Sequence, residues 1–298
     1  MKTECLRAAG IWVDSDRVSS LKEFGIILYS GEITGMLGLV GSGITVVADA
    51  LSGRKKLEKG QIYMDHTPVQ IRGMAQAEKM GIYVISEKTI FLDDLRLEEN
   101  LCLSQRQESM GITFPSEKQI SRIRRCMEEL KIQLKLKEYP KKLGSLECHL
   151  AEILRAYLMG CRILILNHIA NRYTRKELEK LKDVLDLLKE KGIAILLLES
   201  SCERVCKGTD SLYVLRGGRV EGIFERKEYD PGKIKRVMLG DYEIPDTQKT
   251  QFFYENDKTL LLEARGLEST AFKELCFQVE KGEVIGFWEE ENGICQPL

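Results

Sequence analysis

Six short runs of this chain are almost wholly apolar instead of alternating: Gly25 to Tyr29, Ile33 to Leu39, Ile82 to Ile85, Ile163 to Leu166, Ile193 to Leu198 and Ser211 to Leu215. A strand with one wet face alternates polar and apolar residues, whereas a strand covered on both faces does not need to. Helical stretches lie between the runs, so the pattern predicts an α/β fold whose sheet has a parallel core. One such stretch, Ser116 to Leu136, places Ile120, Ile123, Met127, Leu130 and Leu134 at helical spacing. A second helix is expected from about Thr174 to Lys191, with Thr174 as its cap, Leu178, Leu181, Val184, Leu185 and Leu188 on one face, and Gly192 as the stop.

Composition narrows the function. With 43% hydrophobic residues the 298-residue chain can bury a sizeable core. Lys and Arg number 45 against 46 Asp and Glu, so no global basic field argues for nucleic acid or an anionic bilayer. The nine cysteines form no CxxC pair and only three histidines accompany them, so no metal cluster suggests itself. Ile193 to Leu198, the best apolar run, is far shorter than the roughly 20 residues that span a bilayer. Together with an N-terminus that lacks an apolar signal core, these features lead us to expect a soluble, cytoplasmic chain.

The run Ile33 to Leu39 leads into Gly38-Leu39-Val40-Gly41-Ser42-Gly43-Ile44-Thr45, and a helical stretch follows. A glycine-rich turn from strand to helix lets backbone approach a phosphate closely and aims the first helical N–H groups at the anion. Against the phosphate-loop pattern GxxxxGK[ST], Gly38, Gly43 and Thr45 stand, while Ile44 takes the lysine place. The same turn is also a common structural device, so the loop alone leaves both readings open.

The chain also repeats itself. KELCFQVEKGEVIGFW, starting at Lys273, follows KEFGIILYSGEITGML, starting at Lys22, with Lys, Glu, Gly, Glu and Gly recurring in step. LEARGL matches LRAAGI upstream more loosely. Residues 1–240 are therefore expected to form a complete module, 241–258 a polar linker with Phe252, Phe253 and Tyr254 as an aromatic anchor, and 259–298 the opening of a second module. Where that second copy should form its glycine loop it carries Glu289, Glu290 and Glu291.

Further segments fall in a recognisable order. SGEITGMLGLVGSG leads into the loop; GIYVISEK and LRLEENLCLS follow; then come LGSLECHLAEILRAYL, RILILNHIANRYT, GIAILLLESSCERV and TDSLYVLRGGRVEG. In this order the chain resembles the ATP-binding cassette (ABC) proteins of carbohydrate importers of the ribose and galactose type, which are tandem duplications of one module. The resemblance implies a P-loop nucleotide-binding domain with a helical subdomain at about 95–160, followed here by a partial second copy. It implies ATP as ligand, a dimer of cassettes, and a membrane permease that would hold the chain at the inner face of the cell membrane.

Under that resemblance, nearly every phosphate-handling position has changed. Gly38, Gly41, Ser42, Gly43, Ile44 and Thr45 form the Walker A loop without its lysine, and Trp12 stands where an aromatic ring would stack on adenine. Asn167 and His168 replace the Walker B aspartate and the catalytic glutamate, and Ser200 replaces the switch histidine. Gly144, Ser145, Leu146 and Glu147 occupy the signature, where Leu146 is expected to obstruct a partner's nucleotide and Glu147 to repel it. Glu87 takes the Q-loop glutamine's place. A neutral Asn167 is a poor magnesium partner. His168 reads either as a base or as a polar residue closing a buried strand. Two functions follow: an ATP-binding importer subunit with little or no hydrolysis, or a pseudo-ATPase that regulates or docks.

Overall fold

The computed structural model describes residues 2–14, 20–103, 115–201, 208–240, 259–268 and 274–286. The chain divides into two compact units, Met1–Asn171 with Arg175–Gly240, and Arg172–Thr174 with Asp241–Leu298. In chain order the first unit runs β1 (Glu4–Val13), β2 (Leu21–Tyr29), β3 (Ile33–Gly38), α1 (Ile44–Leu51), β4 (Lys59–Met64), β5 (Thr67–Val69), α2 (Met74–Lys79), β6 (Ile82–Ser86), α3 (Leu97–Leu103), α4 (Glu117–Glu129), α5 (Ser145–Leu158), β7 (Ile163–Asn167), α6 (Arg175–Glu190), β8 (Ala194–Glu199), β9 (Ser211–Arg216), β10 (Arg219–Glu225) and α7 (Pro231–Leu239).

Five of the six apolar runs lie side by side. The sheet has the order β10-β9-β3-β8-β7-β6, parallel from β9 to β6, with β10 returning antiparallel beside β9. Its inner strands are buried along nearly their whole length, β3 completely, as continuous apolar sequence requires. Gly25 to Tyr29 is the exception. It belongs to β2 in a separate antiparallel sheet of order β2-β1-β4-β5, where Leu21, Phe24, Ile26 and Leu28 face inward and Lys22 and Glu23 face water. The continuous apolar look of its C-terminal half hid an alternating strand.

Helix α1 sits in the core that the two sheets share: Ile44, Val46, Val47, Ala50 and Leu51 cluster with Leu6, Ile11, Phe24 and Leu28 of the antiparallel sheet and with Ile165, Leu196 and Leu198 of the parallel one. Burying a Leu, Ile or Val side chain fully stabilises by about 1.5–3 kcal/mol, so this helix locks the loop before it between two layers.

Helices α3, α4 and α5 pack on one another. Ser116 and Gln119 form a capping box that starts α4. The helix stops at Glu129, short of the expected Leu136, because Lys131 turns left-handed (φ 52°) and the Ile132 N–H reaches back to Met127 O. The second helix matches expectation, with Leu181, Val184, Leu185 and Leu188 buried and Gly192 left-handed beyond it. Among the described residues no helix is long and apolar enough to cross a membrane.

Of the second unit, β11 (Leu260–Leu267) and β12 (Leu275–Glu280) form an antiparallel hairpin. The expected linker 241–258 with its three aromatic residues, and the acidic run Glu289 to Glu291, lie outside the described residues.

Candidate functional site

Parallel strands end at a common edge, and that edge collects the residues singled out from the sequence. Register pairs Leu37 of β3 with Glu199 of β8, Leu198 of β8 with Asn167 of β7, and Asn167 with Ser86 of β6. The glycine loop, Asn167, His168, Ser200 and Glu87 therefore emerge from neighbouring strands at one edge.

The loop from Gly38 to Ile44 is held by its own atoms. A Cβ on Gly43, at φ +95°, would lie 2.5 Å from Ser20 O, so that position requires glycine, while one on Gly38 would press on the Ser42 hydroxyl. The Ser42 N–H donates to Leu39 O at 2.9 Å, and Ser42 O accepts from the Gly218 N–H at 2.8 Å. The Ser42 hydroxyl accepts from the Ile44 N–H at 3.3 Å, which occupies one of the first helical donors. Val40 and Thr45 face solvent. Ile44 does not: only 3% of it is exposed, and its side chain is part of the core beneath the loop. The lysine place is thus filled by a packing residue.

Across the edge, the chain leaves β7 through His168 in a left-handed conformation (φ 55°), with its N–H on Leu198 O at 3.0 Å. His168 Nδ1 stands 4.0 Å from Glu199 Oε2. Asn167 Oδ1 and His168 Nε2 are buried without a hydrogen-bond partner among the described residues. Burial pushes the His168 pKa below its ordinary value and outweighs the opposing pull of the Glu87 charge, so the imidazole is neutral near pH 7. Glu199, 3% exposed, accepts from the Ala170 N–H at 3.1 Å through Oε1 and so steers the turn after β7. Sequence reasoning passed over Glu199. Its signal was a carboxylate closing the apolar run before Ser200, itself exposed just beyond the strand.

Helix α5 reaches the same edge from the helical layer. His149 Nε2 lies 3.1 Å from Ser86 O and 3.2 Å from Glu87 O, so it donates to them. Glu152 Oε1 accepts from the Ile90 N–H at 2.7 Å. At the start of α5, Gly144 is the N-cap, Ser145 is exposed, and Glu147 Oε2 accepts from the Gly144 N–H at 2.9 Å. Leu146 departs from expectation. It is 5% exposed and packs inward as the first apolar anchor of the helix, so it does not obstruct the surface there. Trp12 stays on the antiparallel sheet, half-buried, with the Lys59 ammonium 5.4 Å from its ring centroid.

Known proteins share this fold. Residues 21–170 match the ABC transporter family. The ribose import ATP-binding protein RbsA of Clostridium perfringens (strain 13 / Type A) is 28% identical over 289 residues, which cover 96% of this chain and 57% of that protein. Its counterpart in Jannaschia sp. (strain CCS1) is 26% identical over 95% of this chain and 54% of its own length. The chain therefore spans little more than half the length of these relatives. In fold it is similar to MJ1267, an ATP-binding cassette of an ABC transporter solved in its ADP conformation, with a TM-score of 0.68 and 21% identity over 80% of this chain and 96% of that one. The dimeric cassette MJ0796 gives a TM-score of 0.62 at 16% identity over 75% of this chain and all of its own. With half of its length matched by the family and its fold shared with solved cassettes, this chain belongs to the ABC transporter family.

Proposed function

We propose that the chain is the nucleotide-binding subunit of an importer for ribose or a related sugar, and that it takes ATP at the Gly38–Thr45 loop without hydrolysing it efficiently. The relatives named for ribose import support the first part. The burial of Ile44 in the core carries the second, because no cationic side chain then stands at this position against the β- and γ-phosphates. What remains is backbone N–H and the Thr45 hydroxyl, which suits high-micromolar to millimolar binding, roughly 4–6 kcal/mol.

Magnesium fits the Thr45 and Asn167 positions poorly, although the Glu199 carboxylate stands at the same edge. Thr45 and Asn167 supply only neutral oxygens, and hard divalent cations favour carboxylates. Among the described residues no group of three His, Cys, Asp or Glu could hold a metal. His168, neutral and near Glu199, is the base-like group present, yet a general base alone contributes about 10²–10⁴-fold. Each missing charge-stabilising group costs about 10²–10³-fold, so turnover falls well below 1 per second. The partners on this reading are a membrane permease and a second cassette, with this chain cytoplasmic and held at the membrane through the permease. Its own role would be closure on ATP, or docking alone as a pseudo-ATPase if no nucleotide binds.

Calorimetric titration with ATP, beside a steady-state phosphate-release assay with magnesium, tests the reading. Heat at millimolar ATP with no phosphate release above background supports it. Turnover that His168→Ala abolishes would refute the loss of catalysis, and no heat at all would leave docking as the function.

A further inference from the structure

Hydrogen-bond donors and charges are unevenly shared across the candidate site. On the loop side, the N–H groups of Ser42, Ile44 and Val46 are taken by Leu39 O, Ser42 Oγ and Gly43 O. Those of Val40, Gly41, Gly43 and Thr45 have no acceptor among the described residues. Open donors at the start of the eight-residue helix α1 make a cradle for phosphate oxygens.

Beyond the cradle, cations are lacking. Paired strands lie about 4.8 Å apart, so the ends of β8 and β9 flank the end of β3 most closely. Strand β8 ends in Glu199, which pairs with Leu37 in register, and the exposed Ser200 follows. Strand β9 ends in Arg216, whose guanidinium lies 3.4 Å from Glu221 and packs against Gly240. Arg219, just after it, is held by Glu23 at 2.9 Å. One strand beyond β8, β7 closes with the neutral side chains of Asn167 and His168. Glu87 and Lys88 follow β6, but three strand spacings, about 14 Å, separate β6 from β3. Ile44 itself lies in the core.

We propose that the loop holds a nucleoside diphosphate in preference to a nucleoside triphosphate, and does so without a divalent cation. The proposal rests on the loop being the nucleotide site, as argued above, and ranks the ligands it takes. The terminal phosphate of a diphosphate fills the cradle through backbone donors alone. A third phosphate brings a further negative charge to an edge where Glu199 closes the adjoining strand and no lysine meets it at position 44. Side-chain donors there are limited to the hydroxyls of Thr45 and Ser200. A monophosphate leaves part of the cradle empty.

Calorimetric titration of the full chain with AMP, ADP and the non-hydrolysable β,γ-imido analogue of ATP, all in EDTA, tests the ranking. Affinity should peak at ADP, at least about fivefold above the other two, and adding magnesium should not tighten ADP binding. Two variants probe the cause. Ser200→Lys places a cation at the exposed end of β8, and Glu199→Gln removes the charge there while keeping an acceptor for the Ala170 N–H. Each should narrow the gap between ADP and the analogue. An analogue that binds as tightly as ADP overturns the proposal while leaving the loop a nucleotide site. AMP that matches ADP overturns it too, as do ADP binding that requires magnesium and a gap that neither variant narrows. No heat with any of the three overturns the reading of the loop itself, and the ranking with it.

Discussion

The Ile90 N–H donates to a carboxylate oxygen of Glu152, a residue only 2% exposed, and this bond ties the segment after β6 to helix α5. Burial drives the Glu152 pKa from its ordinary 4.5 up to about 7, against the smaller opposing effects of the Ile90 N–H and the Arg155 charge. A raised folded-state pKa means that the folded protein holds the proton after the unfolded chain has released it. Stability from this group is therefore complete below about pH 4.5 and lost as pH rises through about 7. The swing is at most about 3 kcal/mol. Glu152→Gln keeps an acceptor for Ile90 and removes the titration, so denaturant unfolding of this variant should lack the wild type's decline between pH 5 and 8. A parallel decline in both proteins would assign the pH dependence to other groups.

Gly43 cannot take a side chain cheaply. Its φ of +95° and a Cβ position 2.5 Å from Ser20 O put Gly43→Ala in conflict with both its own backbone and the chain crossing above. A cost of at least about 2 kcal/mol is expected, roughly 4–8 °C in melting temperature. Gly144→Ala is the comparison, because its Cβ would meet nothing nearer than Glu147 Oε2 at 3.6 Å. Thermal melts of the two variants should differ clearly, and equal melts would mean that the Ser20 crossing yields.

Restoring charge should recover binding before turnover. The triple variant Ile44→Lys, Asn167→Asp, His168→Glu returns a cation to the loop and two carboxylates to the end of β7. We expect at least tenfold tighter ATP binding by titration, with phosphate release remaining slow, because Gly144 to Glu147 are unaltered and the Glu147 carboxylate stays at the start of α5. Brisk hydrolysis by the variant alone would show that these signature substitutions do not limit the chemistry.

The Arg162 guanidinium contacts both oxygens of Asp65, at 2.7 and 2.8 Å, and holds that carboxyl below its usual pKa. Both side chains are about half exposed, so Asp65→Asn should cost no more than about 1 kcal/mol, falling further in high salt. Urea unfolding at two salt concentrations measures it. A loss above 2 kcal/mol would reveal a structural role hidden by the exposure.

Much of this architecture was legible in the sequence because the residues of parallel strands are apolar for a local reason: both faces are covered. Ile163 to Leu166 and Ser211 to Leu215 could be placed on that ground alone. The antiparallel sheet was not, since β4 and β5 are short and partly exposed, and β2 presents an uninterrupted apolar stretch from Gly25. At the candidate site, residue identities showed which charges are missing. They could not show where side chains point, and Leu146 turned inward because the first turn of α5 faces the core. Glu199 was overlooked since its role, holding the Ala170 N–H, depends on a strand far away in sequence.

The burial of Ile44 also bears on how the chain can change over generations. A lysine arriving there alone must forfeit well-packed contacts under α1, and it meets no acidic partners at Asn167 and His168 to reward it. Val, Leu or Met would fit the same space with small losses. Lineages descending from this sequence should thus wander among aliphatic residues at position 44, and the road back to a charged loop requires several simultaneous steps.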